Sequence, residues 1–190
     1  MTNFRITNQS EYEQSYRESV EQPEAFWDSI AHNYQWQKPW DKTLEWNFES
    51  PDIKWFLNGK LNITENCLDR HLEQRGNKIA LIWEPNDPKE VSIRFTYREL
   101  HQKVCRMANI LKNLGVKKGD RVCIYLPMIP ELAFATLACA RIGAVHSVVF
   151  AGFSVNALAD RIQDSGCEVI ITSDGLNRGA KQIPVKSVVD

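Results

Sequence analysis

The sequence predicts an α/β fold whose main part is a parallel β-α-β sheet layer, preceded by a helical, Trp-rich N-terminal cap. After residue 120, three short apolar segments alternate with two segments of helical length, a pattern typical of parallel strands joined by helices. Five of the six Trp residues fall within the first 55 positions, whereas the apolar, Gly-punctuated segments come later. We therefore expect a helical and aromatic cap with a hairpin over 1–75 and the α/β part over 76–190.

Composition excludes several classes of protein. The 190 residues are 43% hydrophobic and 25% charged, as in ordinary globular chains. Lys and Arg number 23 against 24 Asp and Glu, so no positive excess is present to bind nucleic acid. The N-terminus has no apolar signal segment, and the uncharged stretch 142–159 contains His, Ser, Gly and Asn. We expect a cytoplasmic protein without a membrane span.

Cysteine and histidine spacing indicates neither a metal site nor disulfides. The five cysteines include no C-x-x-C pair, and the four histidines have no H-E-x-x-H spacing. These residues are Cys67, Cys105, Cys123, Cys139 and Cys167, with His32, His71, His101 and His146. We expect free thiols packed in the core and histidines in structural roles.

Two helices and an aromatic segment are predicted at the start of the chain. Ser10 and Glu13 match a capping box, and Pro23 suits the first turn of a second helix, PEAFWDSIAHN. The segment 34–48 is rich in aromatic residues without a clean period, which indicates rings wrapped over another surface.

A hairpin and a short helix should follow. The pair Asn58-Gly59 favours a type I′ turn, so we expect strands 53–57 and 60–63 to pair with each other. The segment CLDRHLEQR predicts a helix that ends with Gly76 at the C′ position. Strands are then expected at Lys78–Trp83 and Val91–Phe95, on either side of a Pro-rich turn.

From Thr96 the pattern becomes regular. Thr96 and Glu99 form a capping box, and apolar residues then step by three and four positions until Gly115. The predicted elements after that helix are a strand at Arg121–Leu126, a helix from Pro130, a strand at Val145–Phe150, a helix capped by Ser154 and a strand at Glu168–Thr172. The helix over 130–142 is apolar nearly all round, so it should be buried between layers.

Candidate binding segments follow from this order, because ligands of open parallel sheets bind beyond the carboxyl ends of the strands. The loops at that edge are Pro127–Pro130, Phe150–Ser154 and Ser173–Lys186. The second begins a helix and contains Gly152, so it suits either an anion or an ordinary turn. The third carries Arg178 and Lys181, which suit either a phosphate clamp or a solvated basic loop. Neither matches a P-loop, and no complete catalytic set is present.

Three segments of the chain resemble a known family. They are IKWF..GKLNITENCLDRHLEQRGNKIALIWE at 53–84, FTYRELHQKV through VVFAGFS at 95–154, and RGAKQIPVK at 178–186. Together with the Trp-rich start, they closely resemble the N-terminal part of the acetyl-CoA synthetases, the AMP-forming acetate–CoA ligases of the adenylate-forming superfamily. The likeness runs from about Tyr12 to the last residue. It implies the first part of the adenylate-forming N-terminal domain, with acetate, ATP, CoA and Mg²⁺ as substrates and cofactors of the whole enzyme.

The resemblance also implies site residues. The stretch that holds the nucleotide end of CoA corresponds to Arg178, Gly179, Ala180 and Lys181. The turn against which the CoA adenine packs corresponds to Phe150, Ala151 and Gly152, with Ile183 and Pro184 on the other face. Ala151 stands where many members have Gly, and Lys181 where some have Arg.

No catalytic or metal-binding residue is implied within this chain. The family's ATP-binding loop and catalytic Lys lie beyond residue 190, so we expect the isolated chain neither to form acetyl-AMP nor to exchange pyrophosphate into ATP. Two alternatives remain at this point: a propionyl-CoA synthetase portion, or a stand-alone CoA-binding, nucleotide-binding or partner-docking module without catalysis.

Overall fold

The computed structural model describes residues 5–179 and 181–190, and it divides into two compact units between Asn62 and Ile63. The first unit contains α1 (Gln9–Glu21), α2 (Pro23–Ala31), β1 (Lys42–Asn47) and β2 (Asp52–Leu57). The second contains α3 (Ile63–Cys67), a 3₁₀ turn (Asp69–His71), α4 (Leu72–Arg75), β3 (Ile79–Trp83), β4 (Ile93–Thr96), α5 (Tyr97–Asn113), β5 (Arg121–Tyr125), α6 (Pro130–Ile142), β6 (Val145–Val148), α7 (Val155–Ser165), β7 (Val169–Thr172), β8 (Leu176–Arg178), β9 (Lys181–Ile183) and α8 (Val185–Val189). The domain boundary expected between residues 75 and 76 stays a prediction.

The first helix begins earlier than the capping box predicted. Asn8, and not Ser10, is the N-cap, and its side chain accepts a hydrogen bond from the backbone N–H of Glu11 at 2.9 Å. The Glu11 carboxylate in turn accepts from the backbone N–H of Thr7 at 2.7 Å. The prediction was wrong because Asn caps as well as Ser, and Asn8 lies two residues upstream. The prediction for α2 is confirmed, since Pro23 occupies its first turn.

The predicted hairpin has a different partner strand. β2 pairs antiparallel with β1, with Leu44 opposite Trp55, and the turn spans 48–51. Asn58 has a positive φ of 57°, but Gly59 does not, so the two positive angles of a type I′ turn are missing. A Cβ on Gly59 would lie 2.8 Å from the ring of Trp36, so the glycine is needed to make room for that ring.

The aromatic residues of the first unit pack on one another. The ring centroids of Trp36 and Trp40 are 4.8 Å apart, and each lies 5.3 Å from that of Phe56. The indole of Trp40 donates to the Asp28 carboxylate at 2.9 Å, and the Thr43 hydroxyl donates to the same oxygen at 2.6 Å. The hydrogen bond from Thr43 contributes most to lowering the pKa of Asp28, and that from Trp40 lowers it further.

The helix predicted before Gly76 is broken into α3, the 3₁₀ turn and α4. Gly76 has a φ of −52°, so it is not the left-handed C′ residue that the sequence predicted. A Cβ at this position would lie only 2.3 Å from the carbonyl oxygen of Leu72. The backbone comes so close here that only glycine fits. The next prediction is confirmed, because β3 and β4 are antiparallel neighbours.

The capping box of α5 is confirmed. The Thr96 hydroxyl accepts from the Glu99 N–H at 3.2 Å, and the Thr96 N–H donates to the Glu99 carboxylate at 2.8 Å. These contacts satisfy two N–H groups that the first turn of a helix otherwise leaves unpaired.

The parallel β-α-β sheet is also confirmed. Its strand order is β6-β5-β7, and β5 pairs parallel with both neighbours. Every residue of α6 except Glu131 is buried or half-buried, as the apolar composition of that helix predicted. The central strand is buried along Val122–Tyr125, so its side chains fill the core on both faces of the sheet.

The cysteines differ in burial. Cys123 and Cys139 are buried, and burial raises the pKa of each thiol to about 11. Cys67 is exposed at the end of α3, so the prediction of core packing is wrong for that residue. Within 5–179 and 181–190, no helix is long and apolar enough to cross a membrane.

Candidate functional site

An open cleft of about 1090 Å³ lies at the carboxyl edge of the parallel sheet. The loops after β5 and β6 contribute residues 127–129 and 150–152 to its walls, and the chain after β7 contributes 174–177, 179 and 182–184. Five residues between 83 and 90 also line it. Three loops far apart in sequence therefore meet at one edge, where parallel sheets place their ligand sites.

The turn after β6 is anchored by the sheet below it. Val149 is buried, and its N–H donates to the carbonyl of Ile124 on β5 at 2.9 Å. The hydroxyl of Tyr125, a residue only 1% exposed, donates to the carbonyl of Phe153 at 2.9 Å. Ala151 is buried as well, so the backbone of this turn is held from beneath.

Phe150 presents its ring at the surface of this turn. The residue is 61% exposed, and its ring lies close over the backbone of the turn. A Cβ on Gly152 would approach that ring to 2.6 Å, so glycine is needed for the ring to adopt this position. The ring of Phe153 meets it edge to face at 5.9 Å, and the Arg161 guanidinium lies 4.7 Å from the Phe153 centroid.

The segment after β7 is more ordered than the predicted loop. β8 and β9 form a small antiparallel hairpin in which Leu176 lies opposite Ile183 and the backbones of Arg178 and Lys181 pair. Gly179 begins the connecting turn with a φ of +60°, a conformation that suits glycine. Each strand has only three residues, which is too short for a periodic pattern to predict this hairpin.

Asn86 ties this turn to the segment between β3 and β4. Its side-chain amide donates to the carbonyl of Gly179 at 3.2 Å and accepts from the N–H of Gly179 at 3.4 Å. Local pattern places Asn86 only in the Pro-rich turn between the strands expected at 78–83 and 91–95. The two residues are 93 positions apart, so their contact leaves no local signal in the sequence. Finding it would require correlated substitutions at the two positions among homologous sequences.

Trp83 makes a similar connection. Its indole N–H donates to the carbonyl of Met128 at 2.7 Å, which joins the end of β3 to the loop after β5. The segment between β3 and β4, together with the end of β3, is therefore hydrogen-bonded to both the β5 loop and the β8–β9 turn.

Six of the nine residues predicted for the site line the cleft. They are Phe150, Ala151, Gly152, Gly179, Ile183 and Pro184. Lys181 lies on β9 and is exposed, outside the set of lining residues. Ala180 and the side chain of Arg178 lie outside the described part of the structure. The binding role of all nine stays a prediction.

The described walls of the cleft are acidic. They carry the carboxylates of Glu84, Asp87, Glu90 and Asp174, and no Lys or Arg is among the described lining residues. A phosphate deep in this space would meet like charge, which is unfavourable where water is partly excluded. An uncharged group would not meet this repulsion.

Two family models together match nearly the whole chain. The model described as "AMP-binding enzyme" matches residues 68–190, and the model described as "Acetyl-coenzyme A synthetase N-terminus" matches residues 12–67. The chain belongs to the AMP-binding enzyme family.

Similar curated proteins point to one branch of that family. An acetyl-coenzyme A synthetase of Alkalilimnicola ehrlichii is 54% identical over 180 residues, which cover 94% of this chain and 28% of the relative. An acetyl-coenzyme A synthetase of Syntrophobacter fumaroxidans is 58% identical over 176 residues, covering 92% of this chain and 27% of the relative. The chain thus spans little more than a quarter of the length of these relatives.

A solved structure confirms the fold. The acetoacetyl-CoA synthetase from Streptomyces lividans superimposes with a TM-score of 0.84 at 30% identity, covering 91% of this chain and 26% of that structure. The α/β architecture with its Trp-rich helical start is therefore that of an adenylate-forming enzyme, as the resemblance implied.

Proposed function

We propose that this chain is the N-terminal portion of an AMP-forming acetate–CoA ligase. In the first half-reaction, an acetate oxygen attacks the α-phosphorus of ATP, and pyrophosphate leaves to give acetyl-AMP. In the second, the thiol sulfur of CoA attacks the acetyl carbonyl, and AMP leaves. The role of this chain is to bind and orient the nucleotide end of CoA for the second step.

The observation that carries this proposal is the convergence at the carboxyl edge of the sheet. Phe150 and Gly152 lie about thirty residues before Ile183 in the sequence, yet all three line one cleft. The exposed ring of Phe150 offers a flat apolar face of the kind on which a purine stacks. The similarity to acetyl-CoA synthetases supports CoA as the ligand whose adenine would stack there.

Charge decides how CoA would lie in this site. The acidic walls favour the uncharged adenine near Phe150 and Pro184, while the phosphates extend towards Lys181 and Arg178 on the hairpin. Because the side chain of Asn86 hydrogen bonds to the backbone of Gly179, it would help to hold the turn that lies between Arg178 and Lys181 in the chain. Asn86 is in this view a positioning residue, and it does not itself touch CoA.

The whole enzyme would also use ATP and Mg²⁺. Among the described residues, no group of three or more His, Cys, Asp and Glu side chains is arranged to hold a metal ion, so we assign Mg²⁺ to no residue of this chain. Acetate is proposed over propionate because the curated relatives named above are acetyl-coenzyme A synthetases. The five free thiols support a reducing, cytoplasmic location.

The decisive experiment is a chimera. The matching N-terminal part of the Alkalilimnicola ehrlichii synthetase is replaced by this chain, and CoA-dependent formation of acetyl-CoA is measured with the unmodified relative as the reference. We expect an active chimera, because the chain is 54% identical to the part that it replaces, and packed surfaces tolerate substitutions that keep volume and apolar pattern.

A folded chimera without acetyl-CoA formation would contradict the proposal, with folding checked by a cooperative thermal transition. If the isolated chain nevertheless binds CoA, that combination would instead support a stand-alone binding module. The isolated chain is expected to catalyse neither acetyl-AMP formation nor pyrophosphate exchange, and detecting either reaction would also contradict this account.

A further inference from the structure

The turn that follows β2 contains the one Asn-Gly pair of the sequence, Asn58-Gly59. Asn58 is exposed and has a φ of 57°, and Gly59 is half-buried. An asparagine followed by glycine is chemically labile, because glycine has no Cβ to hinder attack by its backbone nitrogen and its backbone rotates freely. Neither residue lines the cleft, so this reactivity is separate from the proposed CoA site.

Two hydrogen bonds restrain the groups that would react. Asn58 Nδ2 donates to Asp41 Oδ2 at 2.7 Å, and the Gly59 N–H donates to the carbonyl of Phe56 at 3.0 Å. The reaction brings the Gly59 nitrogen to the side-chain carbonyl carbon of Asn58, so both hydrogen bonds must open first. The bond to Asp41 is charge-assisted, which makes it the stronger of the two restraints.

Asp41 is itself held in place beside the turn. Its backbone N–H donates to the carbonyl of Leu57 at 2.9 Å. On the other side of the pair, the N–H of Lys60 donates to the carbonyl of Lys38 at 2.8 Å, and the N–H of Lys38 donates back at 3.1 Å. The turn is therefore joined to the preceding segment both before and after Asn58, which keeps the Asp41 carboxylate beside the amide.

We propose that Asn58 is a modification site, which deamidates at a rate set by its contact with Asp41. In the first step, the backbone nitrogen of Gly59 forms a bond to Asn58 Cγ and the Cγ–Nδ2 bond breaks. The side-chain nitrogen leaves as ammonia, with the proton that the Gly59 nitrogen gives up. Water then adds to one carbonyl of the cyclic imide and opens the ring. The products are one ammonia and an aspartate or isoaspartate at position 58.

The product destroys the contact that restrained the reactant. A carboxylate at position 58 has no hydrogen to donate to Asp41, and it faces like charge there. An isoaspartate also lengthens the backbone of the turn by one carbon, which shifts Lys60 relative to Lys38. Deamidation should therefore loosen the turn and lower the stability of the chain.

The first test measures deamidation rates directly. The purified, folded chain is incubated at mildly alkaline pH, and conversion at each asparagine is followed by mass spectrometry of peptides. Asn47, which is exposed at the end of β1 and precedes Phe48, is the reference within the chain. We expect Asn58 to react at least about fivefold faster than Asn47, because only Asn58 has the unhindered glycine nitrogen after it.

A matched pair of variants isolates the role of Asp41. Asp41→Ala should raise the rate at Asn58 about five- to tenfold, because the charge-assisted hydrogen bond is lost. Asp52→Ala removes an exposed carboxylate that contacts Lys54, and it should leave the rate at Asn58 unchanged. A cooperative thermal transition confirms that each variant is folded. The proposal is overturned if Asp41→Ala reacts no faster than Asp52→Ala, or if Asn47 reacts as fast as Asn58 in the unmodified chain.

A second set of variants tests the product without waiting for the reaction. Asn58→Asp supplies the carboxylate, whereas Asn58→Gly removes the amide without adding charge. We expect the thermal midpoint of Asn58→Asp to lie about 2–4 °C below that of Asn58→Gly. Combining Asp41→Asn with Asn58→Asp restores one amide and one carboxylate, and it should recover the midpoint of the unmodified chain. Equal midpoints for the two single variants, or no recovery in the double variant, would contradict the proposed repulsion.

Discussion

The two turns that meet in the cleft are held in different ways. The turn at 150–154 is fixed by buried groups of the parallel sheet, with Tyr125 beneath it and Ala151 enclosed. The β8–β9 turn projects from two strands of three residues each and is held at Gly179 by the amide of Asn86. The first turn depends on the core, whereas the second depends on a surface hydrogen-bonded contact.

This difference bears on how CoA would bind in the proposed site. A purine stacks well on a ring whose position is fixed, since ordering the ring costs no further entropy on binding. Phosphates are recognised by charge, which acts over a longer range and tolerates small movements of the carrier. In the proposed CoA site, the turn at 150–154 would therefore carry the adenine, and the more lightly held hairpin would carry the phosphates.

Substitution of Tyr125 should produce the largest effect on stability. Tyr125→Ala removes a buried ring and the hydrogen bond to Phe153, and we expect the free energy of unfolding to fall by about 3–5 kcal/mol. Tyr125→Phe keeps the ring and should cost about 1 kcal/mol. Urea denaturation measures both, and a loss below 1 kcal/mol for Tyr125→Ala would show that the turn does not depend on the core.

Substitution of Asn86 should affect binding more than stability. Asn86→Ala removes the contacts to Gly179, and we expect the free energy of unfolding to fall by about 1 kcal/mol or less. The dissociation constant for CoA should rise roughly five- to tenfold, because the β8–β9 hairpin would spend less time in the position that binds CoA. Calorimetric titration with CoA measures this change.

Asn109→Ala, at an exposed position on α5, is the matched control and should alter neither quantity. The contrast between the two turns fails if Asn86→Ala lowers stability as much as Tyr125→Ala, or if CoA affinity is the same in Asn86→Ala and the unmodified chain.

Local signals in the sequence predicted the elements that position the cleft. The capping box of Thr96 and Glu99 and the apolar steps that follow predicted α5. The alternation of strands and helices after it predicted the parallel sheet. Each of these signals lies within one element, so no knowledge of distant partners was needed.

Features that depend on distant contacts were not predictable from local pattern. β1 was missed as the partner of β2, because partner choice is a tertiary property and the Asn58-Gly59 pair suggested a nearer strand. Gly59 and Gly76 are required by a ring and a carbonyl oxygen close to them, and neither has a positive φ. The link from Asn86 to the β8–β9 turn was missed for the same reason.

The family resemblance supplied what residue patterns could not. Arg178 and Lys181 by themselves suited either a phosphate clamp or a basic loop, and Phe150 gave no signal of stacking. The structure brings Phe150, Gly152, Gly179, Ile183 and Pro184 to one cleft, which is the arrangement that a shared ligand requires.

The most direct test of the central claim is a comparison of CoA with dephospho-CoA, which lacks the 3′-phosphate. Calorimetric titration of the unmodified chain and of Arg178→Ala with each ligand gives four dissociation constants. If Arg178 meets the 3′-phosphate, the substitution should weaken CoA by about tenfold and dephospho-CoA by much less, since a charge-assisted contact contributes about 1.5–3 kcal/mol. Equal losses for the two ligands, or no measurable binding of CoA to the unmodified folded chain, would contradict the assignment.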